Sequence, residues 1–151
     1  MPITRATPAD IPTLCDLLTL LFTQEAEFTP DRITQSCGLG MIIDNPASGT
    51  ILVAREGDHI AGMVVLLYTI STALGARVAL LEDMVVAPAF RGSGTGTRLL
   101  EQAIHHARAN GCRRLTLLTD SNNTAAQRFY QRSGFTASSM LPMRLLLDTA
   151  S

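Results

Sequence analysis

The stretch Arg91-Gly92-Ser93-Gly94-Thr95-Gly96 constrains this chain more than any other six residues. It separates a strand-like run over residues 77–87, stopped by Pro88, from a helical pattern running to Asn110. In that pattern Leu99, Leu100, Ala103, Ile104 and Ala107 form one apolar stripe. Glycines between a strand and a helix let backbone N–H groups approach an anion closely, and the helix start adds partial positive charge. Arg91 and Arg98 add formal charge. Two familiar phosphate loops are excluded. A Walker loop needs a lysine after its last glycine, and all 12 basic residues here are arginine. The same absence removes Schiff-base chemistry on a lysine amine. A dinucleotide loop reads G-x-G-x-x-G in an opening βαβ unit, whereas Gly92 begins a G-x-G-x-G spacing late in the chain. The loop is then a cradle for a pyrophosphate of another kind, or simply a turn.

The other elements place the loop in an α/β frame. Residues 3–5 read as a short strand, and Thr7-Pro8-Ala9-Asp10 supplies a helix start with proline in the first turn. Ile11, Leu14, Leu17, Leu18 and Leu21 keep helical spacing to about Phe22, and a weaker helix ends near Asp44. Strands are predicted over residues 50–55 and 59–70, joined by the tight turn Glu56-Gly57-Asp58. Beyond the second long helix come a strand at 114–119 and a short helix over 124–133 capped by Asn123. Two closing strands are expected near residues 135–138 and 143–147. The order β-α-α-β-β-β-α-β-α-β-β describes a mixed, mostly antiparallel sheet of about seven strands flanked by about four helices. With 151 residues, 46% of them apolar, one domain over residues 1–151 is expected, burying about two-thirds of its unfolded surface.

Charge is divided along the chain. Residues 1–90 carry four arginines against ten acids, a net −6, and residues 91–151 carry eight against three, a net +5. An anionic ligand favours the second part and a cationic one the first. Cys15, Cys37 and Cys112 are too few and too scattered for a disulfide framework, which fits a cytoplasmic protein. His105 and His106 point about 100° apart on a helix and cannot share a ligand face, so no metal site is expected. Neither a secretory signal nor an apolar run of membrane-spanning length stands out, so a membrane is not an expected partner. No nucleic acid is expected as a partner either.

Arg91-x-x-Gly94-x-Gly96, after the strand Leu81-Glu82-Asp83-Met84-Val85-Val86, resembles the acetyl-CoA signature of the GNAT superfamily of N-acetyltransferases. Asn123-x-x-Ala126-x-x-Phe129-Tyr130-x-x-x-Gly134-Phe135 is similar to a second segment common near the end of its members. The element order agrees throughout. The resemblance implies a GNAT-like fold in which the fourth and fifth strands splay apart, with the pantetheine arm between them. It places that arm along Met84, Val85 and Val86 and the pyrophosphate on Gly92, Ser93, Gly94, Thr95, Gly96 and Thr97 beside Arg91, with Asn123 as a further cofactor contact or a plain helix cap.

The expected reaction is transfer of the acetyl group of acetyl-CoA to an amine by direct attack in a ternary complex. A primary ammonium with pKa near 10.4 must lose about 3.4 units' worth of proton affinity at pH 7, roughly 4–5 kcal/mol, so a carboxylate is needed to take the proton. Glu82 is the candidate base and Asp83 the substrate anchor or a structural acid; a regular strand points only one of them into the cleft, and a β-bulge would relax that. The alternative for either is an acid satisfying nearby backbone or arginine. A backbone N–H near Met84 or Val85 is the candidate for stabilising the oxyanion. Tyr130 matches the tyrosine that protonates the departing thiolate in many members. Glu25, Glu27 and Phe28 are candidate walls of the acceptor site, or a solvated loop. The acceptor is expected to be a small cationic amine or a peptide amine. A non-enzymatic acyl-CoA sensor and a protein-modifying acetyltransferase are the rival readings, and a homodimer remains open.

Overall fold

Asp10 organises the first turn of the molecule, described here from a computed structural model over residues 1–24 and 29–147. Its carboxylate accepts from the Thr7 N–H at 2.8 Å and from both terminal nitrogens of Arg55 at 3.0 and 2.6 Å, while Arg55 Nε donates to Thr4 Oγ1. These bonds tie β1 (Ile3–Arg5) and the start of α1 (Ile11–Gln24) to β2 (Gly49–Glu56). Arginine holds the Asp10 carboxyl below its ordinary pKa of 3.8. The pair therefore stabilises the fold above that pH, and the contribution fades as pH falls through the lowered value. Asp10→Asn is expected to cost about 1–3 kcal/mol at pH 7 in urea denaturation, a gap that closes below pH 3.8. A constant gap down to pH 2 would show that the charge is not responsible.

Chain order continues with α2 (Arg32–Ile43), capped by the Asp31 carboxylate, then β3 (His59–Ser71), β4 (Ala76–Val86), α3 (Thr95–Ala109), β5 (Leu115–Leu117) and α4 (Thr124–Arg132). The five strands lie in the order of their numbers; the first three pairings are antiparallel and β4–β5 is parallel. The chain divides into two compact units, Met1–Leu118 and Thr119–Ser151.

Within the first unit, alternate β-strand residues feed two apolar layers. Ile51, Val53, Met63, Val65 and Val85 pack with Leu14, Leu17, Leu18 and Leu39 of α1 and α2. Leu52, Val64 and Leu66 point to the other face, where α3 covers the sheet with Leu99, Leu100 and Ala103, all fully buried. Among the described residues, no helix is long and apolar enough to cross a membrane.

In the second unit α4 is followed by irregular chain to Leu147. The sheet has five strands rather than about seven, because residues 135–138 and 143–147 form none. A pattern of alternating apolar residues makes a segment fit to be a strand. It becomes one only when a neighbouring backbone takes up its N–H and C=O groups, and among the described residues these segments join no ladder of the sheet.

Candidate active site

The site begins where β4 changes character. Met63 pairs with Val85 and Val65 with Glu82, so two steps on β3 match three on β4. That extra residue is a β-bulge, and Asp83 takes it up with a φ of 51°, the left-handed region that most side chains avoid. Cross-strand neighbours share a face. Glu82 and Val85 thus both emerge on the α1–α2 face, a three-residue spacing that a regular strand forbids. Val85 is buried in the core there, while Glu82 is exposed and able to meet a ligand.

On its other edge β4 is open over the same residues. Pairing with β5 covers Ala79, Leu80 and Leu81 and then stops. Beyond it, Glu82, Met84, Val85 and Val86 lie outside the β4–β5 register, and that edge can offer backbone groups to another chain-like partner. Arg91 Nε donates to the Val86 carbonyl at 3.2 Å, which draws the following loop back toward this edge.

Gly92 and Gly94 have φ of 79° and 84°, so the loop needs residues without a Cβ. Gly94 is the N-cap of α3, offers no side-chain cap, and the helix makes its first backbone bond from Arg98 N–H to Gly94 C=O. The N–H groups of Thr95, Gly96 and Thr97 therefore lack intrahelical partners and carry the positive end of the helix dipole. A Cβ placed on Gly92 or Gly94 would meet nothing within 4 Å, so the space beside the loop is open. These features fit a pyrophosphate. Ser93 and Thr95 contribute less by their side chains: Ser93 Oγ bonds to the Phe90 carbonyl and to Thr95 Oγ1, and Thr95 is buried. Arg91 and Arg98 are exposed beside the loop.

In the second unit, Asn123 Oδ1 caps α4 by accepting from Ala126 N–H at 3.1 Å. Tyr130 stands edge-on to Phe129 and Phe135, ring centres 5.2 and 5.8 Å away. Burial pushes its phenol up to about 12, so it holds its proton across the whole working pH range. Glu25, Glu27 and Phe28 lie outside the described residues. Among the described residues, no group of three or more His, Cys, Asp or Glu side chains is placed to hold a metal ion.

Sequence reasoning passed over Gly62. A Cβ there would lie 2.8 Å from Leu99 Cδ1 and 2.9 Å from the Val85 carbonyl oxygen. Gly62 lets Leu99 of α3 and the bulged segment of β4 both come close to β3. The signal was present, since a lone glycine inside the apolar run 60–70 marks a close backbone approach.

The sequence model of the Acetyltransferase (GNAT) family matches residues 11–135, which include the bulged strand, the glycine loop and α4. The chain belongs to the GNAT acetyltransferase family. It is 36% identical over 85 residues to the uncharacterised N-acetyltransferase YhfO of Bacillus subtilis, covering 56% of this chain and 57% of that protein. It is 34% identical over 89 residues to glucosamine 6-phosphate N-acetyltransferase 1 of Oryza sativa subsp. japonica, covering 59% of this chain and 44% of the relative. The chain thus spans about half of these curated relatives. A solved structure from Agrobacterium tumefaciens, 26% identical, overlays with a TM-score of 0.81 and covers 96% of this chain and 100% of its own. This GNAT chain accordingly has the mixed α/β fold of the family.

Proposed function

We propose that this GNAT chain is an acetyl-CoA-dependent N-acetyltransferase acting on a small cationic amine, with residues 1–151 as one catalytic domain. The observation that carries the reading is the end of β4–β5 pairing at Leu81. The open edge it leaves runs into a helix start whose N–H groups have no side-chain cap. An amide-rich arm suits that edge and a pyrophosphate suits that helix start. The family match across both units supports the one-domain reading.

Bound acetyl-CoA supplies the thioester acyl group. The chain supplies the rest. Met84, Val85 and Val86 offer backbone partners to the pantetheine arm, and the N–H groups of Thr95, Gly96 and Thr97 with Arg91 hold the phosphates. Glu82 accepts the proton of the incoming ammonium, and Asp83, fixed by the bulge, anchors the cationic acceptor. Asn123 positions the start of α4, and Tyr130 offers its hydroxyl proton to the departing sulfur. With a pKa near 12 against about 8.5 for a thiol, complete transfer is uphill by roughly 5 kcal/mol. Tyr130 therefore works as a hydrogen-bond donor that shares its proton as charge develops.

Direct transfer is favoured over an acetyl-cysteine. Cys15 and Cys37 sit on α1 and α2, Cys112 precedes β5, and burial pushes the Cys112 thiol up. Three free cysteines also suit a cytoplasmic location.

Thiol release from acetyl-CoA, screened across polyamines, basic amino acids, amino sugars and peptides, tests the reading. Release with at least one class supports an enzyme. CoA binding without release for any acceptor replaces it with a sensor. Tyr130→Phe should lower kcat roughly 100-fold with CoA affinity unchanged. Its wild-type rate should show no falling limb below pH 10, and equal turnover in the variant removes Tyr130 as proton donor.

A further inference from the structure

We propose that Gln35 is a positioning residue for the amine acceptor, holding the C-terminal half of α1 over β4 and so setting the cleft in which Glu82 meets the amine. This deepens the reading of Glu82 as proton acceptor and rests on it. In α2 the buried side chains are Gln35 and Leu39, four residues apart on one helical face. An inward face is ordinarily apolar, and a buried amide is costly unless it is paired. Gln35, 7% exposed, is paired at both ends of its amide. Its Oε1 accepts from the Asp31 N–H at 2.9 Å, and its Nε2 donates to the Cys15 carbonyl at 3.2 Å and to Thr19 Oγ1 at 3.3 Å. One side chain thus ties the entry of α2 to two successive turns of α1.

Other bonds join the two helices around Cys15. Arg32 donates to the Asp16 carboxylate at 2.7 Å and to the Pro12 carbonyl at 2.9 Å, and Cys15 Sγ lies 3.1 Å from Ser36 Oγ. Leu14, Leu17 and Leu18 of α1 pack in the core with Val53, Met63 and Val65 of the sheet. Apolar packing of that kind fills space without direction, whereas hydrogen bonds fix which residue meets which. The Arg32–Asp16 pair is exposed and contributes little, and sulfur is a weak partner. The buried amide of Gln35 is therefore the tie that sets the register of α1 against α2.

That register reaches Glu82 through the path of α1. The entry to the helix is bound to β2 by Asp10 and Arg55, and its body packs against β3 and β4. α1 therefore crosses the sheet, and its C-terminal half, which holds Thr19, is the part that lies over the strand of Glu82. Glu82 emerges on this same face. A slip of one helical residue is about 1.5 Å, and a misplacement of about 1 Å at a reacting centre costs roughly 100-fold in rate. The glycine loop leads into α3 on the opposite face, so the phosphate cradle is independent of this tie.

Steady-state kinetics with an amine found in the thiol-release screen test this. Gln35→Leu fills much the same space without the bonds. It should lower kcat/KM for the amine roughly 10–100-fold, mainly by raising the KM for the amine, with the KM for acetyl-CoA unchanged. A merely structural role would reduce the fraction of folded protein and move neither KM. An unchanged KM for the amine, or KM values for both substrates that rise together, overturns the proposal and leaves the acetyltransferase reading standing. Wild-type protein that releases no thiol with any amine ends that reading, and this inference with it. If Gln35→Leu does not fold, Thr19→Val decides, since it removes one of the three bonds and keeps the shape. A rise of roughly 3–10-fold in the KM for the amine alone supports the tie, and no rise overturns it.

Discussion

Glu82→Gln is expected to lower kcat/KM for the amine acceptor by roughly 10²–10⁴-fold at pH 7. The side chain emerges on the α1–α2 face of the sheet because the bulge at Asp83 shifts the strand by one residue. It is exposed there, whereas its face-mate Val85 is buried. Glutamine keeps the shape and the hydrogen-bonding capacity but accepts no proton. The amine must then reach its reactive form unaided, at the cost of roughly 4–5 kcal/mol at pH 7. That deficit shrinks as pH rises toward 10, because the free amine is then already present. The variant should therefore recover with increasing pH while wild type changes less. Initial rates of thiol release at saturating acetyl-CoA measure both trends. An unchanged rate at pH 7 would transfer the proton-accepting role to Asp83 or to water.

Gly62→Val is expected to cost about 3 kcal/mol, the upper end for overpacking a core. The new Cβ would meet Leu99 Cδ1 at 2.8 Å, and a rotamer change there can relieve that contact. The 2.9 Å approach to the Val85 carbonyl oxygen cannot be relieved so easily, since a backbone atom moves only with its strand. The displaced segment is the open edge of β4, so the KM for acetyl-CoA should rise as stability falls. A denaturation midpoint that drops at unchanged m-value isolates the stability effect. A loss below about 0.5 kcal/mol would show that β3 and β4 separate without strain, and would remove Gly62 as a determinant of the gap.

The element order through α4 was legible from periodicity and punctuation. Pro88, Asn110 and Gly134 end their elements for local reasons, and the apolar spacing of α1 and α3 matches the faces they bury. The glycine loop was legible as an anion cradle because positive φ and an uncapped helix start are local properties. The choice between Glu82 and Asp83 was not. Adjacent residues on a strand differ only by face, and which face is which depends on the register with β3. That register is a pairing between residues about 20 positions apart, with no local trace in either segment.

The final strands are the converse case. Residues 143–147 carry a strand pattern, yet a pattern specifies only which side chains share a face. Becoming a strand requires a place in a ladder, and among the described residues β5 is the last strand of the sheet. Sequence by itself determined the family, the loop and the elements through α4, because those rest on residue type and short spacing. The bulge and the splay of the fourth and fifth strands were expected from the resemblance. Tertiary structure alone decided that Glu82 is the acid the register exposes on the α1–α2 face, that β4–β5 pairing ends at Leu81, and the number of strands. Each of these is a matter of which backbone pairs with which, and hydrogen-bond partners in a sheet are chosen across space rather than along the chain.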